Sequence, residues 1–135
     1  PVRAETGYGY IKADKPLEEG FQISAFVEKP HEALAQQMLA SGDYYWNSGM
    51  FLFRASVFLK ECEHWCPEIL GAVQKAWTLA KKQEEGVVPG LEAWNSIVAD
   101  SIDYAVMEKT QVGALVPLDA GWHDVGSWSS LADVL

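Results

Sequence analysis

Four short stretches carry side chains whose types and spacing suit ligand chemistry: ETGYGY (5–10), EKP (28–30), YYWNSGMF (44–51) and GWHDVGSW (121–128). Glu28 beside Lys29 sets a hydroxyl acceptor next to a cation for phosphate; a solvated salt bridge is the competing reading. Asn47 offers two donors and an acceptor, which match the vicinal hydroxyls of a sugar. It could equally be a turn asparagine bonding its own backbone. Gly7 and Gly9 leave backbone open to close approach by a ligand, or form an ordinary glycine-rich turn. Asp124, placed before a helix start, is a hard oxygen donor for a cation, or the first residue of an Asx turn.

Other chemistries fall away. Ser127, His123 and Asp124 contain the residue types of a hydrolytic triad, but no G-x-S-x-G elbow is present, and neighbours in an extended turn point apart. Cys62 and Cys66 are helical neighbours whose geometry does not suit a disulfide, and His64 points off their shared face, so they read as buried thiols rather than a zinc site. The net charge of −9 disfavours nucleic-acid backbones. It also means that an anionic substrate needs local lysine, arginine or a divalent cation. No apolar run approaches the ~20 residues of a membrane helix, and PVRAETGYGY is no signal peptide. The expected address is cytoplasmic. The chain starts at Pro1 and stops at Leu135 within a helical-looking stretch, which suggests a piece of something larger.

The elements that must position these groups alternate between two periods. FQISAFV (21–27) and VGALVPL (112–118) read as strands, and MFLFR (50–54) as a strand buried on both faces, although its length alone does not exclude a helix. HEALAQQMLASG (31–42) reads as a helix after Pro30, with Leu34, Met38 and Leu39 on one face and Gly42 at its end. Val57, Phe58, Cys62 and Trp65 have helical spacing. Pro67 fits the first turn of a second helix, striped by Ile69, Leu70, Val73, Trp77 and Ala80. KKQEEGVVPG (81–90) reads as a loop, and SIDYAVMEK (101–109) as a short helix capped by Ser101 or Asp103. Ser127 would cap a last helix. The tryptophans read as core rather than as a stacking platform. Strands alternating with helices imply an α/β sheet, with ligands beyond the strand C-terminal ends.

In order, ETGYGYI, FVEKP, SGDYYWNSGMFLF, SIDYAVMEKT and GWHDVGSW closely resemble the mannose-1-phosphate guanylyltransferases, and most of all the bacterial kind often fused to a mannose-6-phosphate isomerase domain. The resemblance spans Thr6 to about Leu131. It implies a Rossmann-like α/β nucleotidyltransferase fold, a mixed sheet with flanking helices, and transfer of GMP from GTP to mannose 1-phosphate, giving GDP-mannose and pyrophosphate. Carried over, the Gly9 backbone would meet the sugar ring, Glu28 would accept from a hydroxyl, and Lys29 would hold the sugar phosphate. Asn47 would bond further hydroxyls and Asp124 would help hold Mg²⁺. Asp103 and Tyr104 belong to a family motif without an assigned role.

Two departures stand out. His123 occupies a position that is usually serine or asparagine; its imidazole could support the metal aspartate, but an exposed histidine is the simpler reading. The family's glycine-rich triphosphate loop and second metal aspartate have no counterpart in these residues, so residues 1–135 are expected to be the sugar-phosphate-binding part of the domain, inactive alone. A homo-oligomer is expected, because half of a sheet exposes an unpaired edge and apolar surface. The alternatives are a transferase of other sugar or base specificity and a non-catalytic sugar-phosphate-binding subunit.

Overall fold

A computed structural model describes every residue except Ser127 and Asp133, with backbone only at Ser129. The chain divides into two units, Pro1–Phe51 with Gln111–Leu135, and Leu52–Thr110. The expected Ser127 cap lies outside the described residues.

The first unit is built on a four-stranded sheet of order β3-β1-β2-β6, comprising β1 (Tyr10–Leu17), β2 (Gly20–Val27), β3 (Tyr44–Trp46) and β6 (Ala114–Leu115). Every pairing is antiparallel. A strand after ETGYGY is expected without bounds, and the extent of β1 is hard to read because its second half is charged, exposed and carries Pro16. That proline sits beyond the Tyr10–Lys12 stretch paired to β3, after register shifts in the β1–β2 ladder, where a missing N–H is tolerated. The β1–β2 turn ends at Gly20, whose φ of 127° is open to glycine. A Cβ there would lie 2.1 Å from the Leu115 carbonyl oxygen, so β6 can approach only because that Cβ is absent.

Helix α1 (Glu32–Ser41) begins after buried Pro30 and ends at left-handed Gly42, as expected. Its N-cap is His31, whose Nδ1 accepts from the Leu34 amide at 3.3 Å. Ala35 and Met38 bury against Tyr10, with Leu34, Val27, Tyr44 and Trp46 packed around them. This small core holds β1, β2 and β3 together at one end of the sheet.

Two sequence expectations fail in this unit. MFLFR is not a strand: Leu52 is fully exposed, and Met50 and Phe53 are largely so. The β1 edge is already taken by Tyr44–Trp46, and the turn at Asn47–Gly49 carries the chain away. VGALVPL contributes only Ala114–Leu115 to the ladder, since Pro117 has no amide to donate. In the last stretch, α5 covers Trp128–Ala132.

The second unit is helical. Its helices are α2 (Ala55–Trp65), α3 (Pro67–Thr78), α4 (Leu91–Asn95) and a π-helical turn at Asp103–Met107. Cys62 and Cys66 are buried with Ala105 and Val106, flanked by Phe58, Ile69, Leu70 and Ile102. Both thiols are free, and burial, reinforced by Cys66 and Glu61, pushes the Cys62 thiol up to about 11. That pair is packing, as the sequence implied, and not a nucleophile. Glu61 Oε2 accepts from Trp65 Nε1 at 3.1 Å and from Thr110 Oγ1 at 2.6 Å, tying α2 to the end of the π turn.

The expected α3 stripe is half right. Ile69 and Leu70 pack inward, but Val73 and Trp77 are exposed. Small residues decide the other contact: Ala76 is buried, its carbonyl accepts from the Gly90 amide at 2.9 Å, and Ala93 of α4 is buried. KKQEEGVVPG is not a loop but a hairpin, β4 (Lys81–Gln83) with β5 (Gly86–Val88). All its residues are exposed, so it shows no apolar alternation to read. In SIDYAVMEK the Tyr104 amide donates to Ser101 Oγ at 3.4 Å, matching the expected cap. The Glu108 amide reaches the Asp103 carbonyl at 2.9 Å, and this five-residue spacing widens the turn.

Candidate functional site

The antiparallel sheet explains why distant polar residues share one edge. Tyr10, the first residue of β1, pairs with Val27 at the end of β2 and with Trp46 at the end of β3. Gly9 before β1, Glu28 after β2 and Asn47 after β3 therefore meet at the same rim. The Asn47 amide donates to the Gly9 carbonyl at 2.8 Å. A Cβ on buried Gly9 would lie 2.5 Å from Glu28 Oε2, 3.2 Å from Asn47 Cβ and 3.5 Å from Asn47 Nδ2. Three of the five expected residues are thus in one place, and the missing Cβ at Gly9 leaves the Glu28 carboxylate its room.

Glu28 and Lys29 pair at 3.2 Å, yet they face different surroundings. The Glu28 side chain is 12% exposed and that of Lys29 is 62% exposed. The carboxylate sits in a wall suited to neutral hydroxyls, while the ammonium stands in solvent where it can meet an anion. Lys29 has a φ of 46°, the one left-handed non-glycine residue among those described. Such a conformation costs energy and is held only where the surroundings impose it. Here the end of β2 and the Pro30–His31 entry to α1 fix the backbone on both sides. Asn47 makes the Asx turn that the sequence left open: its Oδ1 accepts from the Gly49 amide at 3.0 Å. Its Nδ2 end faces the Gly9 rim.

The loop leading into Gly9 is pinned by a residue that the sequence reading passed over. Glu5 accepts from the Gly7 amide at 3.0 Å and from Arg3 Nε at 3.1 Å, while its own amide donates to the Tyr10 hydroxyl at 2.9 Å. The Gly7 amide, with smaller help from Arg3, holds the Glu5 carboxyl below its ordinary value.

Asp124 is exposed, and no backbone hydrogen bond joins it to Gly9, Glu28, Lys29 or Asn47 among the described residues. Rings carry the connection instead. Tyr8 is buried and packs edge-on against Trp46 at 5.3 Å and against Trp122 at 5.4 Å. Arg3 lies over the Trp46 ring at 5.8 Å. The expectation of an exposed His123 is wrong. Both its ring nitrogens are buried and without a hydrogen-bond partner among the described residues. Trp122 packs inward beside it, while Asp124 emerges to solvent. The expectation of core tryptophans also needs correction, since Trp77, Trp94 and Trp128 are exposed. An aromatic one or two positions before Gly9, Asn47 and Asp124 was the available signal for the ring cluster.

A family profile described as nucleotidyl transferase matches residues 1–135. The chain belongs to that family. This nucleotidyl transferase chain is 56% identical over 134 residues to the xanthan biosynthesis protein XanB of Xanthomonas campestris pv. campestris (strain B100), covering 99% of this chain and 28% of that protein. It is 46% identical over 139 residues to the mannose-1-phosphate guanylyltransferase of Escherichia coli (strain K12), covering 99% of this chain and 29% of that protein. A crystal structure of mannose-6-phosphate isomerase from Helicobacter pylori superposes with a TM-score of 0.79 at 31% identity, covering 90% of this chain and 48% of that one. The nucleotidyl transferase chain therefore spans less than a third of the length of these curated relatives.

Proposed function

We propose that residues 1–135 form the sugar-phosphate-binding part of a mannose-1-phosphate guanylyltransferase, which transfers GMP from GTP to mannose 1-phosphate and releases pyrophosphate. The observation that carries this reading is the convergence of Gly9, Glu28 and Asn47 on one rim beside the solvent-facing Lys29 ammonium. Glu28 and Asn47 Nδ2 supply an acceptor and donors for sugar hydroxyls, and Lys29 supplies the cation for the phosphate. The names of the relatives point to mannose and to GTP.

The attacking group is an oxygen of the sugar phosphate, whose second pKa near ~6 leaves it largely ionised at neutral pH. No general base is needed, which fits a rim with one carboxylate and no base–nucleophile pair. What the reaction needs is alignment and neutralisation of charge between two anions. Lys29 provides part of that neutralisation in a chain of net charge −9.

Among the described residues no group of three or more histidines, cysteines, aspartates or glutamates could enclose a metal ion. Asp124 is exposed and offers one hard oxygen donor, so it fits a shared site rather than a complete one. We propose it as one carboxylate ligand of Mg²⁺, whose bound form would supply further positive charge between the two phosphates. We also propose a cytoplasmic address, read from the two free thiols, and self-association through the exposed apolar residues.

The test joins these residues to a triphosphate-binding segment and follows pyrophosphate release from GTP and mannose 1-phosphate with Mg²⁺. Lys29→Ala and Asp124→Asn are each expected to cut turnover by about 10²-fold or more. Near-normal turnover in either variant removes that residue from the assigned role. Turnover with another sugar phosphate or triphosphate, and none with this pair, overturns the substrate assignment.

A further inference from the structure

We infer that Tyr8 is a positioning residue whose ring, clasped between Trp46 and Trp122, sets the distance between Asp124 and the Gly9–Glu28–Asn47 rim. Its functional consequence rests on the sugar-phosphate reading above, but its geometry does not.

The segment after β6 is not tied to the sheet in the ordinary way. Among the described residues, no backbone hydrogen bond holds 117–126 to another element. Asp124 is exposed and lies in a stretch without helix or strand. The ring contact that places that stretch is Trp122, two residues before Asp124, edge-on to Tyr8 at 5.4 Å and next to His123, whose ring nitrogens are also buried. Tyr8 directly precedes Gly9 and is 8% exposed, so its ring has little freedom to move. Its other contact, 5.3 Å from Trp46, reaches the residue directly before Asn47. Trp46 in turn packs on the Tyr10, Ala35 and Met38 core. The contacts therefore run from that core through Trp46 and Tyr8 to Trp122, and one ring bears on both sides of the site.

The geometry follows from ring chemistry. Edge-to-face aromatic pairs are directional, because the positive ring edge seeks the negative face, so an aliphatic side chain of similar bulk fills space without fixing the angle. Phenylalanine keeps the ring and loses only the hydroxyl.

A nitroxide at Asp124→Cys tests the distance without relying on any activity. Cys62 and Cys66 are buried, so the label selects the new thiol. Paramagnetic broadening of the Gly9, Trp46 and Asn47 amides in the 135-residue chain is expected to be strong with Tyr8. It should fall severalfold in Tyr8→Leu and return in Tyr8→Phe. Unchanged broadening in Tyr8→Leu overturns the inference. Should Tyr8→Leu fail to fold, Trp122→Leu removes the other ring from an irregular segment, and its broadening decides the question in the same way.

Mannose 1-phosphate titrations of the unlabelled chain then read the consequence. Mg²⁺ is expected to tighten binding about tenfold in the wild type and Tyr8→Phe, the scale of one well-placed contact to a charged group. In Tyr8→Leu that enhancement should vanish while the Mg²⁺-independent binding stays. Equal loss of both components makes Tyr8 merely structural and overturns the positioning role. Absence of any Mg²⁺ enhancement in the wild type removes the metal from the functional reading, and the label result alone then upholds or overturns Tyr8.

Discussion

The two sides of the candidate site are held by different physics. The Gly9–Glu28–Asn47 rim rests on antiparallel ladders, a 2.8 Å amide bond and a close approach of Glu28 and Asn47 to Gly9. The 117–126 stretch that carries Asp124 has no such ladder among the described residues and leans on the Trp122 ring contact to Tyr8. Paired strands place the rim through their backbones, whereas the irregular segment is placed through side-chain packing. This contrast suits a site that recognises a sugar on one side and gathers charge on the other.

The sharpest way to break the contrast is to detach the start of the irregular stretch. Gly20→Ala would press a methyl group against the Leu115 carbonyl and the Val116 backbone. It is expected to lower stability by about 2 kcal/mol or more, read as a reduced midpoint of urea unfolding. A change within about 0.5 kcal/mol, the range of ordinary surface substitutions, would mean that β6 does not depend on this approach.

A smaller effect is expected on the rim itself. In Gly9→Ala the new methyl meets the tip of Glu28 and the Cβ of Asn47. Because Glu28 is a side chain that can swing aside, most of the cost should fall on recognition. Mannose 1-phosphate affinity is expected to drop about tenfold, the scale of one lost hydrogen bond with its desolvation. Unfolding should shift little. A large stability loss with affinity retained would reverse this division.

The sequence made one side of the contrast legible. FQISAFV alternates, so EKP had to stand at a strand end, and Pro30, Gly42 and Pro67 marked the helix boundaries that the structure bears out. Glu28 was visible from its type and its place at a strand end, and Asn47 from its type alone, since the strand before it is Tyr44–Trp46 and not MFLFR. What brings them together was not, because antiparallel pairing depends on β1, whose KADKPL half is exposed, charged and interrupted by Pro16. Surface strands need no apolar alternation, and the β4–β5 hairpin was missed for the same reason. MFLFR misled in the opposite direction, since apolarity alone does not supply a pairing partner. The Tyr8–Trp122 contact joins residues far apart in the chain, and no local period announces it.

The smallest expected effect is on pH dependence, and it falls on the rim side. The Glu5 carboxyl is held below its ordinary value chiefly by the Gly7 amide. A carboxyl with a lowered folded pKa stabilises the fold above its unfolded value near 4.5, and that contribution is lost as pH falls through the folded value. Glu5→Gln should therefore lower stability at pH 7 and converge with the wild type in acid, as followed by thermal unfolding. A constant difference across that range would assign the effect to shape rather than charge.

The central claim is that the Gly9–Glu28–Asn47 rim with Lys29 binds a sugar 1-phosphate. Titration of the chain with mannose 1-phosphate, followed by backbone amide NMR, tests it most directly. The expected result is saturable shifts centred on Gly9, Glu28, Lys29 and Asn47, abolished by Glu28→Gln and absent with inorganic phosphate at the same concentration. No saturable shift, or shifts centred in Leu52–Thr110, would contradict the account.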